Sequence, residues 1–276
     1  MHTRLEGGGR FLTLCPHMAD LICSLILFAF AVLVTASYGV LAMLPNRAGN
    51  KRLDGHGGIL LGRGIMEATY KLFEPLIELL FRAHITPNMV TAFSLVPALA
   101  SAVLVATGHF GMGAILATGS GFCDMFDGML ARRYHCTSDA GELFDAAVDR
   151  YVEYFLLAGL AVYFRSSPAA LLLCLGAILG SFMVSYTTAK AEALGVKPPK
   201  GAMRRAERAV YVTCGCALAS VWELVIPSAH SVAHFSIGRE LPVELALLVV
   251  AMVANISAVR RMFRIADLVR AKKPIA

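Results

Sequence analysis

Four aspartates lie at fixed spacing in a part of the chain that is otherwise apolar. The segment reads Asp124-x2-Asp127-Gly128-x2-Ala131-Arg132-x8-Gly141-x3-Asp145-x3-Asp149. On a helix, Asp124 and Asp127 share one face, and Asp145 and Asp149 share one face of the next helix. Placing a carboxylate inside a membrane costs free energy, so such groups normally have a binding partner or a function. Oxygen ligands of this kind suit Mg²⁺, Mn²⁺ or Ca²⁺, and the spacing predicts a divalent metal site between the two helices.

Gly141 lies one turn before Asp145 on the same predicted helix face. Because small residues allow helices in membranes to pack closely, we expect Gly141 to let the two aspartate-bearing helices approach each other. The alternative is that the acids are interfacial groups paired with nearby arginines. That alternative explains the carboxylates but not the accompanying Gly128, Ala131 and Gly141.

The elements that would position these residues are membrane helices. The chain is 57% hydrophobic and 16% charged, with a mean hydropathy of +0.66, whereas soluble domains carry roughly a quarter charged residues. Apolar runs of about twenty residues predict spanning helices, and they occur at 21–44, 89–107, 110–130, 143–164, 169–188, 209–226 and 241–259. The two aspartate pairs fall at the end of the third run and the start of the fourth.

Basic residues are distributed unevenly among the predicted loops. Clusters of lysine and arginine precede the second run and follow the third, fifth and last runs, while the alternate loops are nearly bare, with His109 in one, Arg165 in the next and Arg239 in the third. This alternation follows the positive-inside rule, and it predicts a multi-pass protein of the cell membrane with the aspartates facing the cytoplasm. The net charge of +6 is therefore a topology signal, and nucleic acid is not an expected partner.

The chain is predicted to have two parts. Residues 1–58 are an N-terminal membrane helix and a linker; no A-x-A site follows the apolar run, so we expect an uncleaved anchor. If this helix spans, Arg4 and Arg10 face outward, against the usual bias. The second part, 59–276, begins with an amphipathic segment at 59–83. Its periodicity is typical of a helix lying along the membrane interface, and a solvated connector is the alternative.

The aspartate segment resembles the signature of the CDP-alcohol phosphotransferase family. That signature is D-x2-D-G-x2-A-R, then eight or nine residues, then G-x3-D-x3-D, and every fixed position is met. The looser resemblance extends from residue 86 to residue 261. It implies an all-α integral membrane protein with a six-helix core at 87–262, preceded by the interfacial helix and by one extra N-terminal helix. It also implies a homodimer in contact with membrane lipids.

The resemblance implies a role for each signature residue. Asp124, Asp127 and Asp145 would bind metal, two Mg²⁺ or Mn²⁺ ions, and Asp149 would be the catalytic base and a further candidate ligand. The remaining positions would bind the nucleotide: Gly128 and Ala131 leave room for cytidine, and Arg132 contacts the nucleotide or its phosphates. The reaction would be the transfer of a substituted phosphate from a CDP-linked lipid, with release of CMP.

Three further segments concern the acceptor. Residues 149–153, 185–195 and 201–208 are similar to D-R-[YF]-x-E, S-Y-x-x-A-[RK]-A-E-x-x-G and G-x-x-x-R-x-[ED]-R of phosphatidylinositol-phosphate synthases. The similarity implies CDP-diacylglycerol as donor and a soluble polyol, inositol 1-phosphate or inositol, as acceptor. The candidates for binding the phosphate of this acceptor are Lys190, Arg204 and Arg208, and Arg261 is a weaker candidate. Relatives commonly have a basic residue where this chain has Thr188, so glycerol 3-phosphate stays open as an acceptor, and so does a purely topological role for these charges.

Two other functions remain open from the sequence. One is a CDP-choline or CDP-ethanolamine phosphotransferase with a diacylglycerol acceptor, which would use the same metal chemistry. The other, from a different class, is a transporter with an acidic intramembrane site. Transporters often contain paired halves or broken helices, and the sequence shows no internal repeat.

Overall fold

The structure is a computed structural model that describes residues 7–43, 63–136, 138–199, 201–225, 230–232 and 235–272. Over these ranges it contains α1 (Gly7–Met43), α2 (Arg63–Arg82), α3 (Pro87–Phe93), α4 (Leu95–Ala106), α5 (Phe110–Tyr134), α6 (Asp139–Tyr163), α7 (Pro168–Ala193), α8 (Arg205–Val225) and α9 (Leu241–Lys272). A short antiparallel hairpin of β1 (His230–Val232) and β2 (Phe235–Ile237) precedes α9. Apart from this hairpin, the expected all-α membrane fold is confirmed.

The apolar core lies between α4, α5, α6, α7, α8 and α9. Val105, Leu160, Cys174 and Leu247 are fully buried in it. Segments of four helices are long and apolar enough to cross a membrane: Met18–Ala36 of α1, Pro87–Ala106 across α3 and α4, Pro168–Ala193, which is α7, and Leu241–Lys272, which is α9. The chain is therefore a multi-pass membrane protein.

The other three helices predicted to span, α5, α6 and α8, are less apolar because they carry the charged residues of the candidate site. They contain 25, 25 and 21 residues. At about 1.5 Å per residue each is long enough for a hydrocarbon core of about 30 Å. Their length agrees with the prediction, and their charges are concentrated at one end.

The predicted helix at 89–107 is interrupted at Ser94, where α3 ends and α4 begins. Pro97 explains the break, since a proline has no N–H to donate and its ring clashes with the carbonyl four residues earlier, here that of Phe93. The Ser94 hydroxyl donates to the Thr91 carbonyl at 2.6 Å, and the Ser94 carbonyl accepts from Ser120 of α5 at 2.8 Å. The break leaves α3 as a separate short helix beside the aspartates.

The N-terminal helix α1 packs on the core and runs parallel to α5. The Asp20 carboxylate accepts a 2.9 Å hydrogen bond from the Met112 backbone N–H, in the first turn of α5. Ten residues further along both helices, the Phe30 and Phe122 rings meet with centroids 5.5 Å apart. The predicted boundary between residues 58 and 59, and the linker before it, lie outside the described residues and stay predictions.

The amphipathic helix α2 is present from Arg63 to Arg82, and the predicted start at residue 59 lies outside the described residues. Leu72 and Leu79 are exposed, while Ile77 is buried. Glu78 forms an ion pair with Arg133 at the end of α5. The Tyr134 hydroxyl donates to the Phe81 carbonyl at 3.2 Å. These contacts tie α2 to the end of α5 that carries the aspartates.

Candidate metal centre and active site

Three of the predicted ligands converge between α5 and α6. Asp124, Asp127 and Asp145 each offer a carboxylate oxygen, and these oxygens lie within 4.8 Å of one another. Asp127 is buried, and Asp145 Oδ1 is also buried and has no hydrogen-bond partner within the described residues. A buried carboxylate oxygen without a partner is costly, and a bound cation would satisfy it. The donor set is all hard oxygen, which fits a divalent ion such as Mg²⁺ or Mn²⁺.

Helix α3 holds one of these carboxylates in place. The Thr91 hydroxyl lies 2.5 Å from Asp127 Oδ2 and donates to it. Thr86 caps α3 by accepting from the Met89 N–H at 3.4 Å, and Pro87 is the first residue of the helix, a position where proline is favoured. Thr91 was not predicted as a site residue, although it lies one turn after this capping signal.

Asp149 lies beside the three ligands and is paired with an arginine. Its carboxylate forms an ion pair with Arg205 Nη1, and Arg150 Nη1 lies 3.8 Å from the same oxygen. Arg205 Nη2 is 3.5 Å from Asp124 Oδ2. Arg205 therefore bridges the first and last aspartates of the signature. The structure brings Asp149 to the site, and its role as base stays a prediction.

Arg205 is a second candidate, besides Thr91, that the sequence analysis missed. Counted from Gly201, the pattern G-x-x-x-R-x-[ED]-R places its first arginine at 205, but Arg204 was named instead. The Arg204 backbone N–H donates to Glu207 Oε2 at 2.8 Å, a contact that caps the start of α8. The signal that could have identified Arg205 was therefore present in the pattern itself.

The other acceptor candidates lie in different surroundings. Lys190 is exposed in the last turn of α7. Arg208 is only 2% exposed and forms two hydrogen bonds with Glu153 of α6, at 2.6 and 3.0 Å. Because its Nε and Nη2 both donate to Glu153, Arg208 has a structural partner that the prediction did not include. Its predicted contact with the acceptor remains untested.

The predicted nucleotide residues follow the metal ligands along α5. A side chain at Gly128 would have its Cβ 3.5 Å from Arg132 Nη1, so the absent side chain leaves space under the Arg132 guanidinium. Ala131 is half-buried and Arg132 is exposed. This placement is compatible with a nucleotide approaching the end of α5, and the three roles stay predictions.

The expectation for Gly141 is wrong. A Cβ at Gly141 would lie 3.2 Å from Ser138 Oγ and 3.8 Å from Asn88 Oδ1, and no atom of α5 lies within 4 Å. The close approach made by α6 is at Gly159, where a Cβ would collide with the Ala102 carbonyl and would lie 2.6 Å from Val105 Cγ2. Both of these residues belong to α4, so α6 packs closely on α4 and leaves room for a site between α6 and α5.

A basic pocket lies next to the loop that precedes α8. It has a volume of about 200 Å³ and is lined by Gly201, Ala202, Ser257, Arg260, Arg261 and Arg264. Arg261 was the weaker acceptor candidate, and the structure places it in the wall of this pocket. Three arginines in one small pocket make it suited to an anion.

The chain is similar to known lipid-synthesising enzymes. The family model for CDP-alcohol phosphatidyltransferase matches residues 84–259. A phosphatidylinositol phosphate synthase of Mycobacteroides abscessus is 30% identical, over 61% of this chain and 83% of its own length. An archaetidylinositol phosphate synthase of Methanothermobacter thermautotrophicus is 30% identical, over 55% of this chain and 78% of its own.

The fold is also similar to solved structures. The crystal structure of Mycobacterium tuberculosis phosphatidylinositol phosphate synthase with CDP-DAG bound has a TM-score of 0.62 at 23% identity, and the match covers 71% of this chain and 94% of that one. The same enzyme in complex with manganese and citrate gives a TM-score of 0.61, covering 70% of this chain and 88% of that one. The family match begins after α1 and α2, so both helices lie outside it.

Proposed function

The chain belongs to the CDP-alcohol phosphatidyltransferase family, and we propose that it transfers the phosphatidyl group of CDP-diacylglycerol to a hydroxyl of inositol 1-phosphate. The observation that carries the reaction type is the cluster of three aspartate oxygens within 4.8 Å, next to Asp149 and Arg205. The names of the relatives at 30% identity support this acceptor. The alternatives are glycerol 3-phosphate and free inositol.

The proposed reaction is a substitution at phosphorus. The acceptor oxygen forms a bond to the phosphorus that carries diacylglycerol, and the bond from that phosphorus to the CMP oxygen breaks. The hydroxyl proton passes to Asp149, which acts as general base, and CMP leaves with the electron pair. When bound by Asp124, Asp127 and Asp145, two Mg²⁺ or Mn²⁺ ions would neutralise the pyrophosphate and the leaving oxygen.

The chain's own residues then have distinct tasks. Thr91 fixes the Asp127 carboxylate through its 2.5 Å hydrogen bond. Arg205 holds Asp149 in position, and a phosphate entering beside it would compete for the same guanidinium. Gly128, Ala131 and Arg132 would form the nucleotide side of the site, with Arg132 close to the phosphates.

The acceptor's phosphate is proposed to bind in the basic pocket. Arginine binds phosphate through paired hydrogen bonds, and Arg260, Arg261 and Arg264 line this space. Lys190, Arg204 and Arg208, the candidates predicted from sequence, are proposed as further contributors at the same end of the bundle. A charged acceptor is favoured over free inositol because the three arginines that line the pocket suit an anion better than an uncharged ligand.

The setting is proposed to be the cytoplasmic membrane, with the aspartates facing the cytoplasm. The clusters of basic residues at the aspartate end of the bundle support this orientation. CDP-diacylglycerol would enter from the surrounding lipid, and the soluble acceptor and CMP would exchange with the cytoplasm. We further propose a homodimer, as the family resemblance implies.

The test is a CMP-release assay on purified protein with CDP-diacylglycerol. The acceptor panel contains inositol 1-phosphate, inositol and glycerol 3-phosphate, and a separate reaction uses CDP-choline with diacylglycerol. We expect inositol 1-phosphate to give the highest rate, excess EDTA to abolish it, and added Mg²⁺ or Mn²⁺ to restore it. A higher rate with glycerol 3-phosphate would refute the acceptor, and full turnover in EDTA would refute the metal.

A further inference from the structure

Arg261 of α9 reaches across to α7 and is held there. Its Nη1 donates to the Val184 carbonyl at 3.2 Å and to the Thr188 hydroxyl oxygen. The Thr188 hydroxyl uses its own proton on the same Val184 carbonyl, at 2.9 Å. The Thr188 oxygen therefore turns its lone pairs to Arg261, and this fixes one end of the guanidinium.

Gly201 makes room for the other end of the same guanidinium. A Cβ at Gly201 would collide with Arg261 Nη2, and it would lie 3.2 Å from Arg261 Cζ and 3.2 Å from Ser257 Oγ. The loop is pinned to α9 because the Ala202 N–H donates to Ser257 Oγ at 3.1 Å.

One polar atom of this arginine remains without a partner. Arg261 Nε is buried and has no hydrogen-bond partner among the residues that the structure describes. The guanidinium thus lies in a fixed plane between Thr188 and Gly201, in the wall of a pocket that Arg260 and Arg264 also line. A buried, unpartnered N–H of a charged group is expensive, and the charge of an anion held by the pocket-lining part of the guanidinium would offset part of that cost.

We propose that Thr188 and Gly201 are positioning residues, which hold the Arg261 guanidinium where it binds the phosphate of the acceptor. This inference rests on the proposed function, because it deepens the role of the same pocket. Thr188 is the position where relatives commonly have a basic residue. Here the threonine contributes no charge of its own. Its hydroxyl oxygen instead fixes the position of the Arg261 guanidinium.

The position of the loop connects this pocket to the aspartates. Gly201 is four residues before Arg205, which contacts both Asp149 and Asp124. Four residues span at most about 14 Å even when fully extended. The loop therefore joins the wall of the pocket, at Gly201, to the arginine that contacts Asp149.

The test compares two disruptive variants with two matched controls. Thr188→Val keeps the shape of the side chain but removes the oxygen that accepts from Arg261, and Thr188→Ser restores that oxygen. Gly201→Ala pushes the Arg261 guanidinium away, whereas Gly119→Ala adds the same methyl group where no described atom beyond its own helix backbone lies within 4 Å. We expect Thr188→Val and Gly201→Ala to raise the acceptor KM about tenfold, the size of one weakened charge-assisted contact.

The KM for CDP-diacylglycerol and kcat should stay within about twofold of the wild type in all four variants, because the metal site is not touched. A fall in kcat with an unchanged acceptor KM would overturn the inference. So would a Thr188→Ser protein that is as impaired as Thr188→Val, since the hydroxyl would then not be what matters.

Binding of inorganic phosphate, measured by calorimetry without CDP-diacylglycerol, separates this inference from the proposed function. We expect wild type, Thr188→Ser and Gly119→Ala to bind it, and Thr188→Val and Gly201→Ala to bind it about tenfold more weakly. If inositol 1-phosphate is not a substrate but this pattern holds, the acceptor is wrong and the positioning role stands. If inositol 1-phosphate is the best acceptor but phosphate binding is absent from the wild type or equal in all variants, the positioning role is wrong.

Discussion

The proposed chemistry rests on single carboxylates, and each of them has a different environment. Asp127 is buried and held by Thr91, and Asp149 is paired with Arg205. Asp145 has a buried oxygen that no other described residue contacts by a hydrogen bond. The features of Asp127 and Asp145 are expected of metal ligands, because a ligand carboxylate is held in a fixed position and its free oxygen binds the cation. The pairing with Arg205 keeps Asp149 at the edge of the cluster, next to the place where an acceptor would arrive.

Replacing a ligand should therefore remove activity without unfolding the protein. We expect Asp124→Asn, Asp127→Asn and Asp145→Asn each to lower CMP release by about a hundredfold or more, because a lost metal contact removes several kcal/mol of charge stabilisation. Asp139→Asn is the matched control, since Asp139 is exposed at the start of the same helix α6. A near-normal rate in any of the first three would show that its carboxylate is not a ligand.

A second prediction concerns Arg208, which was predicted to bind the acceptor and is found buried against Glu153. Removing one partner of a buried ion pair costs about 3–5 kcal/mol. We expect Arg208→Ala to lower the melting temperature in detergent strongly, and the double variant Arg208→Leu with Glu153→Leu to regain part of the loss. An unchanged melting temperature together with a raised acceptor KM would instead support the role predicted from sequence.

The sequence predicted the aspartates because their spacing repeats with the helical period, which depends on local geometry alone. It did not predict Thr91 or Arg205, because their roles depend on how α3 and α8 pack against α5 and α6. It also could not distinguish Arg208 from its neighbours. Whether an arginine faces a partner, a pocket or solvent is decided by tertiary contacts.

Whole helices were predicted with more success than their ends. Apolar runs identified the membrane helices, but α7 and α9 continue to Ala193 and Lys272, beyond the predicted ends at 188 and 259. Hydropathy follows the hydrocarbon region, and it cannot detect a helix that extends into water with charged residues. The break at Ser94 could have been predicted from Pro97, whereas the hairpin before α9 has no comparable signal.

The close packing of α6 on α4 depends on one glycine, Gly159. Gly159 brings α6 against the backbone of α4, and a Cβ there would collide with the Ala102 carbonyl. We expect Gly159→Ala to destabilise the protein by roughly 1–3 kcal/mol, since overpacking at a backbone contact forces the two helices apart. The measurement is thermal unfolding in detergent, with Gly119→Ala as the matched control. Equal melting temperatures for the two variants would contradict the close packing.

The orientation of the entire molecule follows from which helix ends meet. Helix α6 begins near the aspartates and ends at Tyr163, whose hydroxyl donates to Glu240 Oε1 at 2.7 Å, just before α9. Helix α9 therefore begins on the side away from the aspartates and ends on their side, where Lys272 Nζ donates to the Gly195 carbonyl at 2.8 Å. Because α1 runs parallel to α5, its N-terminal end lies on the side away from the aspartates.

The two ends of the chain are accordingly predicted to lie on opposite sides of the membrane. This predicts that α1, which has Arg10 in its first turn, begins outside, against the positive-inside bias, because the Asp20 contact with Met112 and the Phe30 contact with Phe122 fix the direction of α1. Alkaline phosphatase fused to the N-terminus should be active and a fluorescent protein there should be dark, with the reverse at the C-terminus. Matching signals at both ends would mean that α1 does not cross the bilayer, and its packing on α5 would then be wrong.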